Sequence, residues 1–314
     1  MTTFLDKFTA YLQAQDRSPH TVKAYRSDAA AFFDWLAAQL GRPVPPVEVT
    51  PFDVQKYRDH LVAEGRKPAS VNRSLAALRV CFAWAMQTGQ ASTNPARDVQ
   101  GLKQAQRTPK ALTTQEVYRL QREAAAQRQL AQVKAGDAIT PTLVDALRDE
   151  ALLNLLLYTG LRVSECAALR VDDVLLNGKN GKVIVRSGKG RKYREVPLHK
   201  EARKAVAAYL TVRPTERGDT LFLGQRGRLG ARGIQFRIAA LGEAAGVAVT
   251  PHVLRHTFAT RLLREVKTDL VTVAALLGHS SVATTAIYQR SWDLMVTDTQ
   301  PNAQDLSAAV AGLA

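Results

Sequence analysis

The chain has 314 residues, with 43 Lys and Arg against 28 Asp and Glu, a formal net charge of +15 and a pI of about 10.1. That length supports two hydrophobic cores, and the excess of cations favours a polyanionic partner, most simply a nucleic acid. The only cysteines, Cys81 and Cys166, sit in apolar helical patterns, which argues against a disulfide scaffold and for free thiols in a reduced cytoplasm. The most apolar run, Leu152 to Tyr158, is too short to span a bilayer, the start of the chain is not a signal peptide, and no C-x-x-C or comparable metal-ligand spacing occurs.

Residues 1–100 read as a four-helix module. Phe4, Phe8, Tyr11 and Leu12 lie on one face of a first helix. Ser18-Pro19 opens a second helix, with Val22, Tyr25, Ala29, Phe32, Phe33, Leu36 and Leu40 inward and Gly41 at its end. Thr50-Pro51-Phe52-Asp53 has the pattern of a capping box and opens a third helix that closes at Gly65. A fourth runs from about Pro68 to Thr88, with Val71, Leu75, Leu78, Phe82 and Met86 inward. No catalytic constellation stands out here. The cations Lys23, Arg26, Arg73 and Arg79 are candidates to face phosphates or base edges, against the alternative of an ordinary solvated face. This part holds 12 Lys and Arg against 9 Asp and Glu, so only +3 of the net charge lies in it and +12 in the remainder.

Asn94-Pro95 breaks the pattern. Residues 101–111 read as a basic interdomain linker, through Gly101, Lys103, Arg107, Pro109 and Lys110, which lets two modules close around a duplex. The second domain is expected over 112–300, with Thr113-Thr114-Gln115-Glu116 capping its first helix. Ala124 to Thr142 reads as a helix extension and an exposed loop, and a long helix follows from about Leu143 to Tyr158.

Thr159-Gly160-Leu161-Arg162-Val163-Ser164-Glu165 comes next. Gly160 allows a sharp turn, and Arg162 stands at the start of a new helix, where main-chain donors also favour anions. Glu165, three residues on, is a ready ion-pair partner, the bland reading of that arginine. The period then changes to that of strands: Val171–Val174, Lys182–Val185, and a run through Tyr193, Val196 and Leu198, with Asn177-Gly178, Asn180-Gly181 and Ser187-Gly188-Lys189-Gly190 as turns. Lys179, Lys182, Arg186, Lys189, Arg191, Lys192 and Arg194 are seven basic residues with no acidic one among them. A basic β-turn of this kind can enter a groove and place one ammonium on a phosphate ester; a solvated charged hairpin is the common alternative. Helices return over Lys200–Val212 and Gly230–Ala245.

The last stretch, Thr250 to Arg290, gathers the chemistry. Thr250 caps a helix with Pro251 at its first position, which puts His252 and Arg255 on one face; Gly278 ends the next helix just before His279, and Tyr288 follows nine residues later. Arginine can clamp phosphate oxygens, histidine can move protons, and a phenol can attack phosphorus. His252 and His256 are four apart, but Val253 stands where a zincin motif has glutamate and no third ligand is apparent, so no zinc site is read. Each residue has a bland alternative: His256 a buried, hydrogen-bonded histidine, Arg255 a structural ion pair, Tyr288 an interface tyrosine. Their joint occurrence with Arg162 and Lys189 favours function.

These motifs together resemble the tyrosine recombinases, the phage integrases and Xer-type resolvases. The resemblance rests on Thr159–Glu165; on Gly188-Lys189-Gly190 with Val196-Pro197-Leu198 downstream; on His252-Val253-Leu254-Arg255-His256-Thr257-Phe258-Ala259-Thr260; on Leu276-Leu277-Gly278-His279-Ser280-Ser281; and on Thr284-Thr285-Ala286-Ile287-Tyr288. It implies a mainly α fold with a small antiparallel β-sheet: an N-terminal four-helix, SAM-like core-binding domain and a C-terminal recombinase catalytic domain. It implies a site-specific recombinase of mobile-element or chromosome-partition type. It implies that Tyr288 is the nucleophile that forms a 3′-phosphotyrosine, that Arg162 and Arg255 hold the non-bridging oxygens, and that Lys189 protonates the leaving 5′-oxygen. By the same resemblance His252 is expected to accept the phenol proton or donate a hydrogen bond, and His279 to bond the phosphate. Arg73, Arg191 and Lys192 are candidate DNA contacts. No metal, cofactor or ATP is implied. The partners implied are double-stranded DNA with an inverted-repeat core site and other copies of the chain in a tetramer working through a Holliday junction, with or without a second recombinase or accessory protein; no membrane is expected. Residues 301–314, with Leu306, Val310 and Leu313 on one face, are expected to form a helix contacting a neighbouring protomer. Ala124–Thr142 is longer than in the compact members of the family. A type IB topoisomerase-like nickase and a non-catalytic DNA-binding protein are the other two readings.

Overall fold

Among the described residues proline stands at the first turn of five α-helices, those starting at Pro19, Pro51, Pro68, Pro141 and Pro251. Its fixed φ and missing N–H cost nothing there. Before four of them a hydroxyl completes the cap: Ser18 accepts from Thr21 N at 3.1 Å, Thr50 from Asp53 N at 3.3 Å, Thr140 from Leu143 N at 3.3 Å and Thr250 from Val253 N at 3.2 Å. The computed structural model describes residues 1–103, 111–177, 180–186 and 193–278, with the main chain alone at Asn177 and Asn180. The chain divides into two compact units, Met1–Arg107 and Thr108–Ala314.

The first unit contains α1 (Thr2–Ala14), α2 (Pro19–Leu40), α3 (Pro51–Ala63) and α4 (Pro68–Gln87). Its core is aromatic: Phe4, Phe8, Phe32, Phe33, Phe82 and Trp84 are buried, with Phe4 edge-on to Phe33 at 5.5 Å and Phe32 edge-on to Phe82 at 6.3 Å. Met86, expected inside, is 45% exposed, because a 3.6-residue period carries the buried face from Phe82 to Ala85 instead. Arg79, a candidate for phosphates, is held by carbonyls: its Nε donates to Ala96 O at 3.1 Å and its Nη2 to Val99 O at 2.6 Å. Asn72 exchanges hydrogen bonds with Leu102 N (2.7 Å) and O (2.9 Å), and Arg58 Nη1 donates to Gln100 O at 3.2 Å. The stretch read as the start of a linker is therefore tied to α3 and α4 as far as Leu102.

The second unit is built around α6 (Pro141–Thr159), which packs against α5 (Thr114–Ala135), α8 (Lys200–Val212), α9 (Ala231–Ala244) and α10 (Pro251–Arg264). Ala151 to Leu157 is buried throughout. Two buried charges on α6 are paired: Arg148 donates to Asp145 at 2.5 Å and to Asp149 at 2.9 Å, and Arg237 on α9 grips Asp149 from the other side. α7 (Val163–Ala168) follows α6, and α11 (Leu270–Leu277) follows α10.

Three antiparallel strands, β1 (Val174–Asn177), β2 (Asn180–Arg186) and β3 (Tyr193–Leu198), lie in that order, with Val183 opposite both Val174 and Val196. A separate two-stranded ribbon pairs β4 (Leu223–Gly224) with β5 (Gly227–Arg228). Val183, Val185, Val196 and Leu198 turn into the core, while Lys182 pairs with Glu195 at 2.8 Å on the other face. Two strand-region expectations are corrected. Val171–Asp173 is a 3-10 turn, closed by Asp173, whose carboxylate accepts from Arg170 N at 3.0 Å and Arg186 Nε at 2.7 Å. Asn180-Gly181 is strand, not turn: Gly181 pairs with Leu176 and Leu198, and a Cβ there would meet Arg203 Cδ at 2.6 Å. Cys81 and Cys166 are both buried free thiols, and burial pushes Cys81 up to about 12. Among the described residues no helix is long and apolar enough to cross a membrane. The expected terminal helix over 301–314 lies outside the described residues.

Candidate functional site

α6 ends because Gly160 takes a left-handed conformation, φ +59°, closing the helix with its N–H on Leu156 O at 3.2 Å. A side chain there has no room: a Cβ would run into the Phe258 ring and stand 2.9 Å from Leu277 Cδ2. The tight turn delivers Arg162 to the N-cap of α7. Glu165 reaches back to Arg162 N at 2.7 Å, and its other oxygen accepts from Arg162 Nη1 at 3.0 Å. The expected ion pair therefore exists, but it does not exhaust the arginine. Arg162 Nη1 also donates to Leu277 O at 3.4 Å and Nη2 to Gly278 O at 3.1 Å, and 42% of its side chain is open to solvent.

Arg255 comes from α10, the helix capped by Thr250 and Pro251. It is only 4% exposed, its Nη1 donating to Gly160 O at 2.6 Å and its Nη2 to Leu277 O at 2.8 Å. The two arginines singled out from sequence, 93 positions apart, thus meet on one oxygen, the carbonyl of Leu277. That carbonyl ends α11, where helix geometry leaves acceptors unfilled and partial negative charge accumulates. Gly278, left-handed at φ +65°, turns the chain there.

A third guanidinium joins them. Arg194 on β3 donates from Nη1 and Nη2 to the two oxygens of Glu165, at 3.0 and 2.8 Å, and from Nε to Leu276 O at 2.8 Å. Glu165 therefore takes four hydrogen bonds. Burial pushes its carboxyl up, but the bonds from Arg194 and Arg162 outweigh burial and hold it below the usual glutamate value. Nothing in the sequence pattern singles out Arg194 among seven basic residues. Strand alternation was the available signal, since Arg194 shares the inward side of β3 with Val196 and Leu198.

His252 is exposed at the start of α10, on the helix that carries Arg255. Its Nε2 lies 2.7 Å from Nε2 of His256, the rings edge-on at 4.1 Å, so one imidazole donates to the other. Partial burial, and then the Arg255 charge, lower the His252 pKa below its ordinary value, keeping the ring neutral and able to take a proton. His256 is half-buried and hydrogen-bonded. Arg73 is exposed and forked onto Asp28 at 2.8 and 2.9 Å, and Arg26 pairs with Asp6 at 3.0 Å. Lys189, Arg191, Lys192, His279 and Tyr288 lie outside the described residues.

The arrangement offers a cationic pair converging on one oxygen beside a neutral imidazole, which suits an anionic oxygen ester. Comparisons with known proteins point the same way. Residues 128–294 match the family described as "Phage integrase family", and residues 5–89 match "Phage integrase, N-terminal SAM-like domain". The chain is 36% identical over 296 residues to tyrosine recombinase XerC of Neisseria meningitidis, covering 91% of each chain. It is 33% identical over 308 residues to tyrosine recombinase XerD of Listeria innocua, covering 95% of this chain and 97% of the relative. Its fold is similar to that of the XerH site-specific recombinase in a post-cleavage complex with a palindromic difH substrate, with a TM-score of 0.71, 20% identity, and 93% of this chain and 83% of that one covered.

Proposed function

The chain belongs to the phage integrase family and is a tyrosine-type site-specific recombinase, and we propose that Arg162 and Arg255 are the phosphate clamp through which it breaks and rejoins DNA strands. The observation that carries this is the meeting of the two guanidinia on Leu277 O, at 3.4 and 2.8 Å. A phosphodiester oxygen carries more charge than a carbonyl and takes the same donors with stronger, charge-assisted bonds. The substrate meets Arg162 first, as the open member of the pair, and Arg255 from the side now occupied by Leu277 O.

The reaction then runs as a transesterification. The Tyr288 oxygen bonds to phosphorus as the P–O5′ bond breaks. The phenol proton goes to neutral His252, the Lys189 ammonium protonates the departing 5′-oxygen, and His279 bonds a phosphate oxygen. The arginines stabilise the charge that grows on the non-bridging oxygens. Ester is exchanged for ester, so no ATP is consumed, and attack by a 5′-hydroxyl from a partner strand reverses the step. Both compact units bind double-stranded DNA at an inverted-repeat core, with Arg73, Arg191 and Lys192 as contacts; Arg73 exchanges Asp28 for phosphate. Four copies assemble on two duplexes, the 301–314 segment contacting a neighbour, and the reaction takes place in the cytoplasm.

The test traps the covalent intermediate. Denaturant-resistant adducts formed on genomic DNA are sequenced to map the cleaved site, and a nicked duplex carrying that site then accumulates the adduct. The wild-type chain forms it, and Tyr288→Phe binds the duplex and forms none. An adduct that persists in Tyr288→Phe removes Tyr288 from its role, and a wild-type chain that forms none refutes the mechanism.

A further inference from the structure

We propose that Arg194 is a positioning residue for strand cleavage, the side chain that locks the three segments of the active site into one register. The inference rests on the reading of the site given above. Three nitrogens of one guanidinium each meet a protein acceptor: both oxygens of Glu165 and Leu276 O. The side chain is 12% exposed and Glu165 10%, so the pair is sheltered and Arg194 does not face the substrate as Arg162 does.

These contacts lead from β3 to two other catalytic segments. Through Glu165, Arg194 fixes the main chain and one nitrogen of Arg162. Through Leu276 O it fixes the end of α11, whose next carbonyl is shared by Arg162 and Arg255 and whose chain continues directly to His279. Arg194 itself is the second residue of β3 and follows Lys189 by five positions in the sequence. The site also leaves room for it: a Cβ on Gly278 would lie 2.7 Å from Arg194 Nη1 and 3.1 Å from its Cζ. The left-handed Gly278 thus serves two ends, turning the chain and letting the guanidinium approach it closely. Lysine cannot replace this fork, because one ammonium cannot span the carboxylate and the carbonyl in the fixed planar geometry that guanidinium provides.

The experiment measures single-turnover adduct formation on the nicked site at saturating DNA, alongside the Kd for that DNA and the melting curve. Arg194→Met is expected to slow cleavage about 100-fold, the scale of an ångström-sized misplacement of reacting groups, while Kd stays at the wild-type value. Glu165→Gln acts through the same link, so the double variant is no slower than the slower single one. If Arg194→Met fails to fold, Arg194→Lys takes its place and is expected to cleave slowly while folded. Wild-type cleavage rate in a folded Arg194 variant, or additive effects of Arg194 and Glu165, overturns the inference. A purely structural arginine changes the melting curve without changing the rate at saturating DNA. If the wild-type chain itself forms no adduct, the proposed mechanism has failed; if it does and the Arg194 variants match it, only this inference has.

Discussion

Replacing Glu165 with glutamine keeps the shape of the side chain and removes its charge. The carboxylate accepts four hydrogen bonds, from Arg162 N at 2.7 Å, Arg162 Nη1 at 3.0 Å, and Arg194 Nη1 and Nη2 at 3.0 and 2.8 Å. An amide accepts at one end only, so one donor of Arg162 and one of Arg194 are left facing an N–H₂ group inside a sheltered site. Removing one partner of a buried, hydrogen-bonded charge pair costs about 3–5 kcal/mol. The pH dependence gives the check on cause. Glu165 titrates below its ordinary value in the folded chain, so its contribution is fully present above the unfolded glutamate pKa and is lost as pH falls through the folded one. Urea unfolding of the second unit, followed by far-UV circular dichroism, is expected to place Glu165→Gln about 3–5 kcal/mol below wild type at neutral pH. That gap narrows as pH drops from the ordinary carboxylate range towards the depressed value. A gap under about 1 kcal/mol, the scale of a solvated surface pair, or one that widens on acidification, refutes the reasoning.

Gly160→Ala forces a Cβ onto Phe258 at a left-handed backbone, φ +59°, and is expected to cost about 2–4 kcal/mol by the same urea assay, from strain and overpacking together. Arg79→Met leaves the carbonyls of Ala96 and Val99 without their donor, so hydrogen exchange over residues 94–102 is expected to speed up while the helices of the first unit stay protected. Burial and the neighbouring Arg255 lower the His252 pKa, so the acid limb of the adduct-formation profile is expected below the ordinary imidazole range and is expected to disappear in His252→Gln; an acid limb at or above that range argues against His252 as the proton acceptor.

What the sequence disclosed follows a physical division. Signals that act within one turn of chain were legible. Thr50 with Asp53 and Thr113 with Glu116 form the capping boxes their spacing implies, and α8 runs over the expected Lys200–Val212. The same holds for the pairing of Arg162 with Glu165, three residues apart. A helical face drifts along a long helix, and by the end of α4 the drift carries Met86 out to solvent. The larger gap concerns acceptors. Arg79, Arg162, Arg194 and Arg255 all donate to main-chain carbonyls, and no residue type marks where a free carbonyl will stand. A helix end supplies such acceptors, but which arginine reaches it depends on tertiary approach. Gly181 shows the same limit: a glycine beside asparagine has the look of a turn, yet it sits in β2 so that Arg203 can pass over it.

The balance of charge at the site explains how the chain holds its cations together before a substrate arrives. Arg162, Arg194 and Arg255 bring three guanidinia into a partly sheltered space, where Glu165 pairs with Arg162 and Arg194. Uncompensated, such a cluster opposes folding. The end of α11 offsets part of it: Leu276, Leu277 and Gly278 present three successive carbonyls, each bound by one or two of the guanidinia. A helix C-terminus carries about half a negative charge, so its carbonyls hold the guanidinia by charge as well as by hydrogen bonds. A phosphodiester supplies one full negative charge and two non-bridging oxygens. In the proposed clamp the carbonyls that hold the arginines in the free chain are weaker versions of the phosphate, and the preference for phosphate over carbonyl comes from charge rather than from a new set of donors.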